Sequence, residues 1–411
     1  MEYVGIEELQ QRLAVKRIRG RQRYLRYEQK AMARNISGVI PPQFQWVMPA
    51  FGWCASAVES VADRLQFRGF DEMSDGFGLN EIYRMNNEDV IFDSGMLSAL
   101  ITSCAFVYVS NRGGLPVLQI IDSCNATGVL DPTSNMLVEG YAILQEDKNN
   151  RPVLEAYFTR EWTAYYRDRK LEAQVDNPAP FAQLVPLIHR PDARRPFGHS
   201  VISRACMSLQ DAAARTIMRS EVAAEFYSFP QKYVVGLSTE AAEGFEAMKA
   251  NLSSFLHISK DEEGDSPKMG QFQQQSMAPF HEQLRMLASA FAGESGMTVD
   301  DLGFAMDNPA SADAIKKAHE RLRLKVAKAQ RNFENGFRNA GYVAACVRDG
   351  KSYDRAAMYK TKALWEPAFE MDAAAMSSFG DGIVKINQAV PGYFGARNLR
   401  NITGIEPDEV V

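Results

Sequence analysis

Apolar positions repeat with a helical period near both ends of the chain and with a strand period between them. Residues 5–34 read as one helix. From about Gly52 a second helix carries Trp53, Ala57, Val61 and Leu65 on one face and leads into a short strand, Gln66–Phe70. Pro41, Pro42 and Pro49 break the chain between these helices. A third helix is expected over Glu88–Thr102. The stretch 104–188 then changes period, with strands expected at 105–110, 117–121, 138–145, 153–158, 162–167 and 171–175. Asn111–Gly114, Asp131-Pro132, Asn149-Asn150 and Asp168-Arg169 supply breaks. Mostly antiparallel sheet embedded in helices is the α+β class.

The second half is built on long helices. Gly198–Ser228 reads as one, with Ile202, Cys206, Leu209, Ala213 and Ile217 on a face and Pro230 ending it. A compact unit follows: strand Gln231–Gly236, helix Ser238–Asn251, strand Phe255–Ile258, an acidic loop at 260–265 and strand Met269–Gln273. Another long helix runs from about Ala278 to Gly293. A small α/β module between two helices can project at the tip of a helical stalk. Asn308-Pro309 is a helix start, with Asn as N-cap, Pro at the first helical position and Asp313 favouring the dipole. Ile315, Ala318, Leu322, Val326, Ala329, Phe333 and Phe337 carry that helix to about Arg338. After Gly350 come a short strand at Leu364-Trp365, a helix from Asp372 to Ala389, a stop at Pro391-Gly392 and a weakly helical tail.

Composition narrows what these elements do. The 411 residues are 46% apolar and 10% aromatic, enough for a real core, so fibrous and disordered readings fall away. With 46 basic against 51 acidic residues, a general nucleic-acid coat is excluded, and any DNA contact must come from local patches. The first helix is a local exception, nine Lys/Arg against three Asp/Glu over 5–34, and is expected to be a solvated basic face. No run of about 18 apolar residues occurs, so no membrane helix is expected. The N-terminus shows no secretory signal. The five scattered cysteines read as reduced thiols of a cytosolic compartment.

Enzyme signatures are missing. There is no phosphate-binding G-x-x-x-x-G-K-[ST] loop, no C-x-x-C and no G-x-S-x-G. His281-Glu282 and His319-Glu320 begin like the zinc-protease helix motif, but Arg285 and Arg323 stand where the second histidine belongs. His189, Asp192 and His199 lie close in sequence among arginines and lack a third ligand or a nucleophile. No catalytic residue, metal or cofactor is therefore expected. One electrostatic feature remains. From Glu282 to Asp307 there are five acids (Glu282, Glu294, Asp300, Asp301, Asp307) against Arg285, while the helix after Asn308 carries eight Lys/Arg against three Asp/Glu. Adjacent segments of opposite sign either pair with each other or present an acidic lining that repels phosphates.

In order and spacing, four segments resemble the portal proteins of long-tailed bacteriophages. They are Val58–Leu65 with Arg68-Gly69-Phe70, Phe197–Ser200, Phe229–Gly236 and Asn308–Ile315. The resemblance implies a portal-type α+β fold: an α/β wing at 1–197, stem helices at 198–228 and 278–297 flanking a small α/β clip at 229–277, a tunnel loop at 298–312, and at 313–411 a tunnel and wing helix with a short helical crown. It implies a ring, usually of twelve copies, at a capsid vertex of the virion, assembled in the host cytoplasm. Double-stranded DNA would be packaged and ejected through it. Expected partners are the terminase large subunit, which would hold the ATPase, then the head-tail adaptor, with major capsid and scaffolding proteins around the ring and no membrane. Glu282, Glu294, Asp300, Asp301, Gly303, Asp307 and Asn308 would line the DNA channel. Lys232, Lys249 and Lys260 would meet terminase or adaptor. Competing readings are another phage head or adaptor protein and a nucleic-acid-processing enzyme using the His189–His199 loop.

Overall fold

A computed structural model describes residues 3–31, 51–228, 232–235, 268–271, 276–304, 317, 319–369 and 373–403. Two compact units emerge: the first comprises 1–31, 50–210 and 288–411, the second 32–49 and 211–287.

The first unit is layered. Its middle is a five-stranded antiparallel sheet, β4 (Ala126–Leu130), β5 (Leu137–Glu146), β6 (Pro152–Phe158), β7 (Trp162–Arg167) and β8 (Lys170–Asp176), ordered as in sequence. One face meets a three-stranded sheet in which β2 (Cys104–Arg112) lies between β3 (Leu115–Asp122) and β9 (Leu184–Ile188). Phe106, Leu137, Phe158, Leu184 and Ile188 fill the space between, all almost fully buried. The other face is covered by α1 (Ile6–Tyr27), whose Leu9 and Leu13 pack on Tyr141, Ile143 and Tyr157. The far side of the three-stranded sheet is covered by α4 (Glu88–Thr102) and α7 (Glu320–Asp349). Beside them α2 (Trp53–Ala62), β1 (Phe67–Phe70) and α3 (Leu79–Met85) gather an aromatic knot of Phe67, Phe70, Tyr83, Phe92 and Phe337. β1 pairs antiparallel with β12 (Ala363–Trp365), which follows α8 (Arg355–Met358). α9 (Ala373–Ala389) and α10 (Ala396–Thr403) end the described chain.

α5 (Arg204–Ser228) and α6 (Ala278–Ser295) each contain residues of both units. In the second unit β10 (Lys232–Val235) pairs antiparallel with β11 (Lys268–Gln271). The expected helix 238–251, strand 255–258 and acidic loop 260–265 lie outside the described residues, as do Asn308 and Pro309.

Three expectations change. α5 starts at Arg204, not Gly198. Residues 198–203 are held extended instead: Gly198 has φ +74, His199 N donates to His189 O at 2.8 Å, and the Ser200 hydroxyl donates to Ile101 O at 2.6 Å. The buried stripe of α5 also drifts from the expected positions, because Gln210 is buried and its amide oxygen accepts from Cys54 N at 2.8 Å. α7 runs on past Arg338 to Asp349. Residues 339–347 are buried on every side, so amphipathic periodicity vanishes where the helix is most enclosed. Finally, α1 is a docked helix, not a free basic face. It stops at Tyr27, and the chain turns at Gln29 with φ 58. Arg17 pairs with Glu146, Arg23 donates to Thr102 O at 2.5 Å, and Lys16 lies 4.1 Å over the Phe197 ring.

Candidate functional site

The acidic stretch at the end of α6 folds into an anchored turn. Gly296, at φ +82, ends the helix in the left-handed conformation that closes many helices. The exposed backbone carbonyls there attract cations, as a helix C-terminus does. Two come from α7: Arg321 donates to Gly293 O, and Lys325 donates to Ser295 O and, at 3.4 Å, to Glu294 O. The turn 298–301 closes on itself, with Thr298 N donating to Asp301 Oδ2 at 2.8 Å and Asp301 N to Thr298 Oγ1 at 3.2 Å. Asp300–Leu302 form a single 3₁₀ turn, and Gly303 follows at φ +85. Phe304 fixes the exit edge-on against Trp53, centroids 6.4 Å apart.

This turn holds several of the acids out to solvent. Asp300 and Asp301 are exposed. Glu294 is exposed too, its carboxylate accepting from the Ser203 hydroxyl at 2.8 Å. Gly303 is exposed, and a Cβ there would meet nothing within 4 Å. Glu282 is exposed on the part of α6 that belongs to the second unit. Asp307, Asn308, Lys249 and Lys260 lie outside the described residues, and of Lys232 only the strand backbone is described. So the opposite-sign segments do meet, but through helix-end carbonyls more than carboxylates. Burial, with Arg321 and Arg190 nearby, pushes the Lys325 ammonium down to about 8. The sequence shows Gly296 and the lysines of α7, but no spacing rule links Lys325 to carbonyls thirty residues earlier.

The histidine loop is structural. His189 is buried, its ring 6.2 Å from that of Phe333, and its Nδ1–H donates to His199 O at 2.6 Å. His199 Nε2 pairs with Asp192 Oδ2 at 2.6 Å. Among the described residues no group of three or more His, Cys, Asp or Glu is gathered as metal ligands would be. Arg323 pairs with Glu320 at 2.7 Å. All five cysteines are free and buried. Among the described residues no helix is long and apolar enough to cross a membrane.

Burial lowers the His189 pKa from 6.5 to about 4, so the folded protein keeps the ring neutral. The unfolded chain takes up its proton as pH falls through 6.5, the folded chain only near 4. Stability should therefore be full above pH 6.5 and lost between 6.5 and 4, by up to about 3 kcal/mol. Urea midpoints at about pH 7 and about pH 4 should diverge less in His189→Asn, whose amide replaces the donor without titrating. Equal divergence in both proteins would refute the assignment.

Residues 63–367 match the family described as "Phage portal protein, SPP1 Gp6-like". The chain belongs to this portal protein family. Curated relatives agree: the portal protein of Mycobacterium phage L5 is 25% identical over 384 residues, covering 87% of this chain and 78% of that one. The portal protein of Mycobacterium phage D29 is 24% identical over 394 residues, with the same coverage. Among solved structures, the virion of a native gene transfer agent particle contains a chain of similar fold, 13% identical, with a TM-score of 0.48 over 94% of this chain and 99% of that one. At that score the likeness adds nothing to the family match. A portal protein is a structural part of the virion rather than an enzyme of known type, and its function is that of a portal ring at a capsid vertex. The competing head-protein and enzyme readings give way to it.

Proposed function

We propose that about twelve copies of this chain close into the ring and that double-stranded DNA passes through it during packaging and ejection. The supporting observation is the family match, which spans the wing sheets, both long helices and the turn after them. On this reading 1–197 is the wing, 198–228 and 278–297 the stem segments, 229–277 the clip, 298–312 the tunnel loop and 313–411 the tunnel helix and crown. The compact unit at 211–287 supports a separate clip. Terminase would dock on the clip and the head-tail adaptor would follow it, with Lys232, Lys249 and Lys260 as contact residues. Capsid and scaffolding proteins would surround the wing, and assembly would take place in the host cytoplasm. Particle images of the purified protein along its symmetry axis test the ring; monomers alone at high concentration would overturn it.

The acids of the anchored turn, with Glu282, Asp307 and Asn308, are assigned to the channel lining. Negative charge there keeps the phosphate polymer from adhering as it moves. Replacing Glu294 and Asp300 with Lys and Asp301 with Asn (which keeps an oxygen for Thr298 N) should leave folding near wild type, since exposed charges contribute little. It should slow packaging several-fold at low salt. The effect should fade as the screening length shrinks from about 30 Å at 0.01 M to about 8 Å at 0.15 M. Packaging at an unchanged rate at low salt would remove these residues from the lining.

A further inference from the structure

A negatively charged protein carries one cavity lined chiefly by cations. The loop after β9 lies across α7 and encloses about 400 Å³ between Arg190, Asp192, His199, Lys328, Arg331 and Asn332. Asp192 is the sole carboxylate in this lining and is already engaged. It accepts from His199 at 2.6 Å and from the amides of Arg194 and Arg195 at 2.9 and 2.7 Å. Among the described residues, the Arg190, Lys328 and Arg331 side chains have no acidic or hydrogen-bonding partner. Most of the other cations named above are satisfied: Arg17 by Glu146, Arg323 by Glu320, Arg321 and Lys325 by helix-end carbonyls.

Three unpaired cations converging on one concavity repel each other, and an anion removes that cost. We infer that this ledge is a binding site for the phosphodiester backbone of duplex DNA. Two of its cations are arginines, whose planar forks match phosphate oxygens in pairs. Asn332 adds an amide donor. The basic row continues along α7 through Lys325 to Arg321, so Arg321–Arg331 spans about 15 Å at 1.5 Å per residue, the length of several phosphates. A polymer of regularly spaced charges fits such a row better than a single acidic side chain does. Composition had ruled out a general DNA coat and left room only for a local patch of this kind. The inference takes from the proposed function only that DNA comes near; cavity and charges stand without it.

Its test is salt-dependent binding of a labelled duplex to the purified full chain. The triple variant Arg190→Gln, Lys328→Gln, Arg331→Gln is compared with a control triple, Arg112→Gln, Lys148→Gln, Lys170→Gln, which removes equal exposed charge elsewhere. The ledge triple should bind about tenfold or more weakly near 0.1 M salt, and the slope of log K against log salt should fall by about 3, one for each phosphate no longer neutralised. The control triple should bind as wild type. Equal loss in both triples, or no loss in the ledge triple, overturns the site. So does a ledge triple that binds DNA normally but no longer forms rings, since the patch would then belong to a neighbouring copy. Ring images of the wild type, taken separately, distinguish failure of this site from failure of the ring itself.

Discussion

Gly198→Ala is expected to destabilise the fold by about 3–5 kcal/mol. Gly198 sits where the chain leaves β9 for α5, at φ +74. An alanine in that left-handed conformation costs about 1–2 kcal/mol before any steric clash is considered. The added Cβ would also lie inside the van der Waals envelope of the His189 carbonyl oxygen and 2.9 Å from Ile188 Cγ2. The carbonyl cannot swing aside cheaply, because it accepts from His199 N at 2.8 Å. Moving it also disturbs Ile188, which lies in the core between the two sheets. Gly113 supplies the control. It has φ +63, but a Cβ there meets nothing within 4 Å, so Gly113→Ala should cost only the conformational share, about 1–2 kcal/mol. Denaturant midpoints of the two variants measure the difference. Equal losses would mean that the crowding at Gly198 relaxes freely.

That loop also marks where sequence reading reached its limit. Helices with a clean stripe were legible: Trp53, Ala57, Val61 and Leu65 are all buried, as their spacing predicted. The expected strand 162–167 has its predicted ends. What escaped was structure set by distant partners. β9 reads Leu-Val-Pro-Leu-Ile, a continuous apolar run interrupted by proline. It is a strand because it forms an edge, where Pro186 opposite Phe106 need not donate on both sides. β4 carries Gly128, tolerated because the Glu139 carbonyl approaches too closely for any side chain. The partner of β1 lies almost three hundred residues away at β12. The candidate site divides in the same way. The acids were legible as a charge run, whereas their anchoring by Lys325 and Arg321 depends on how α6 and α7 meet. The cationic cavity was hidden because Arg190 and Arg331 lie far apart in sequence.

The second large effect is expected at Glu139, and it concerns α1. A helix with this excess of positive charge gains little by lying on a protein surface unless something holds it. Glu139 does so from the middle of β5 while only 1% exposed. Its carboxylate accepts from Val4 N at 2.8 Å, Gly5 N at 2.7 Å and the Tyr157 hydroxyl at 2.5 Å. Gly5 is the N-cap of α1 and has no side chain to cap the helix, so the sheet supplies the negative charge that a helix N-terminus favours. Glu139→Ala leaves two amides and a hydroxyl without their acceptor in a buried place, at a cost of about 3–5 kcal/mol. Glu139→Gln keeps the shape and one oxygen, and should cost about 1–2 kcal/mol. Undocking would bare Leu9, Leu13, Tyr141, Ile143 and Tyr157 together, an apolar patch of the kind that drives association. Trypsin offers a direct readout, since Arg12, Lys16, Arg17, Arg19, Arg21, Arg23 and Arg26 all lie on α1. Cleavage within 6–27 should become fast in Glu139→Ala while the sheets stay resistant. A variant that loses stability yet keeps α1 protected would show that Glu139 supports the sheet and not the helix.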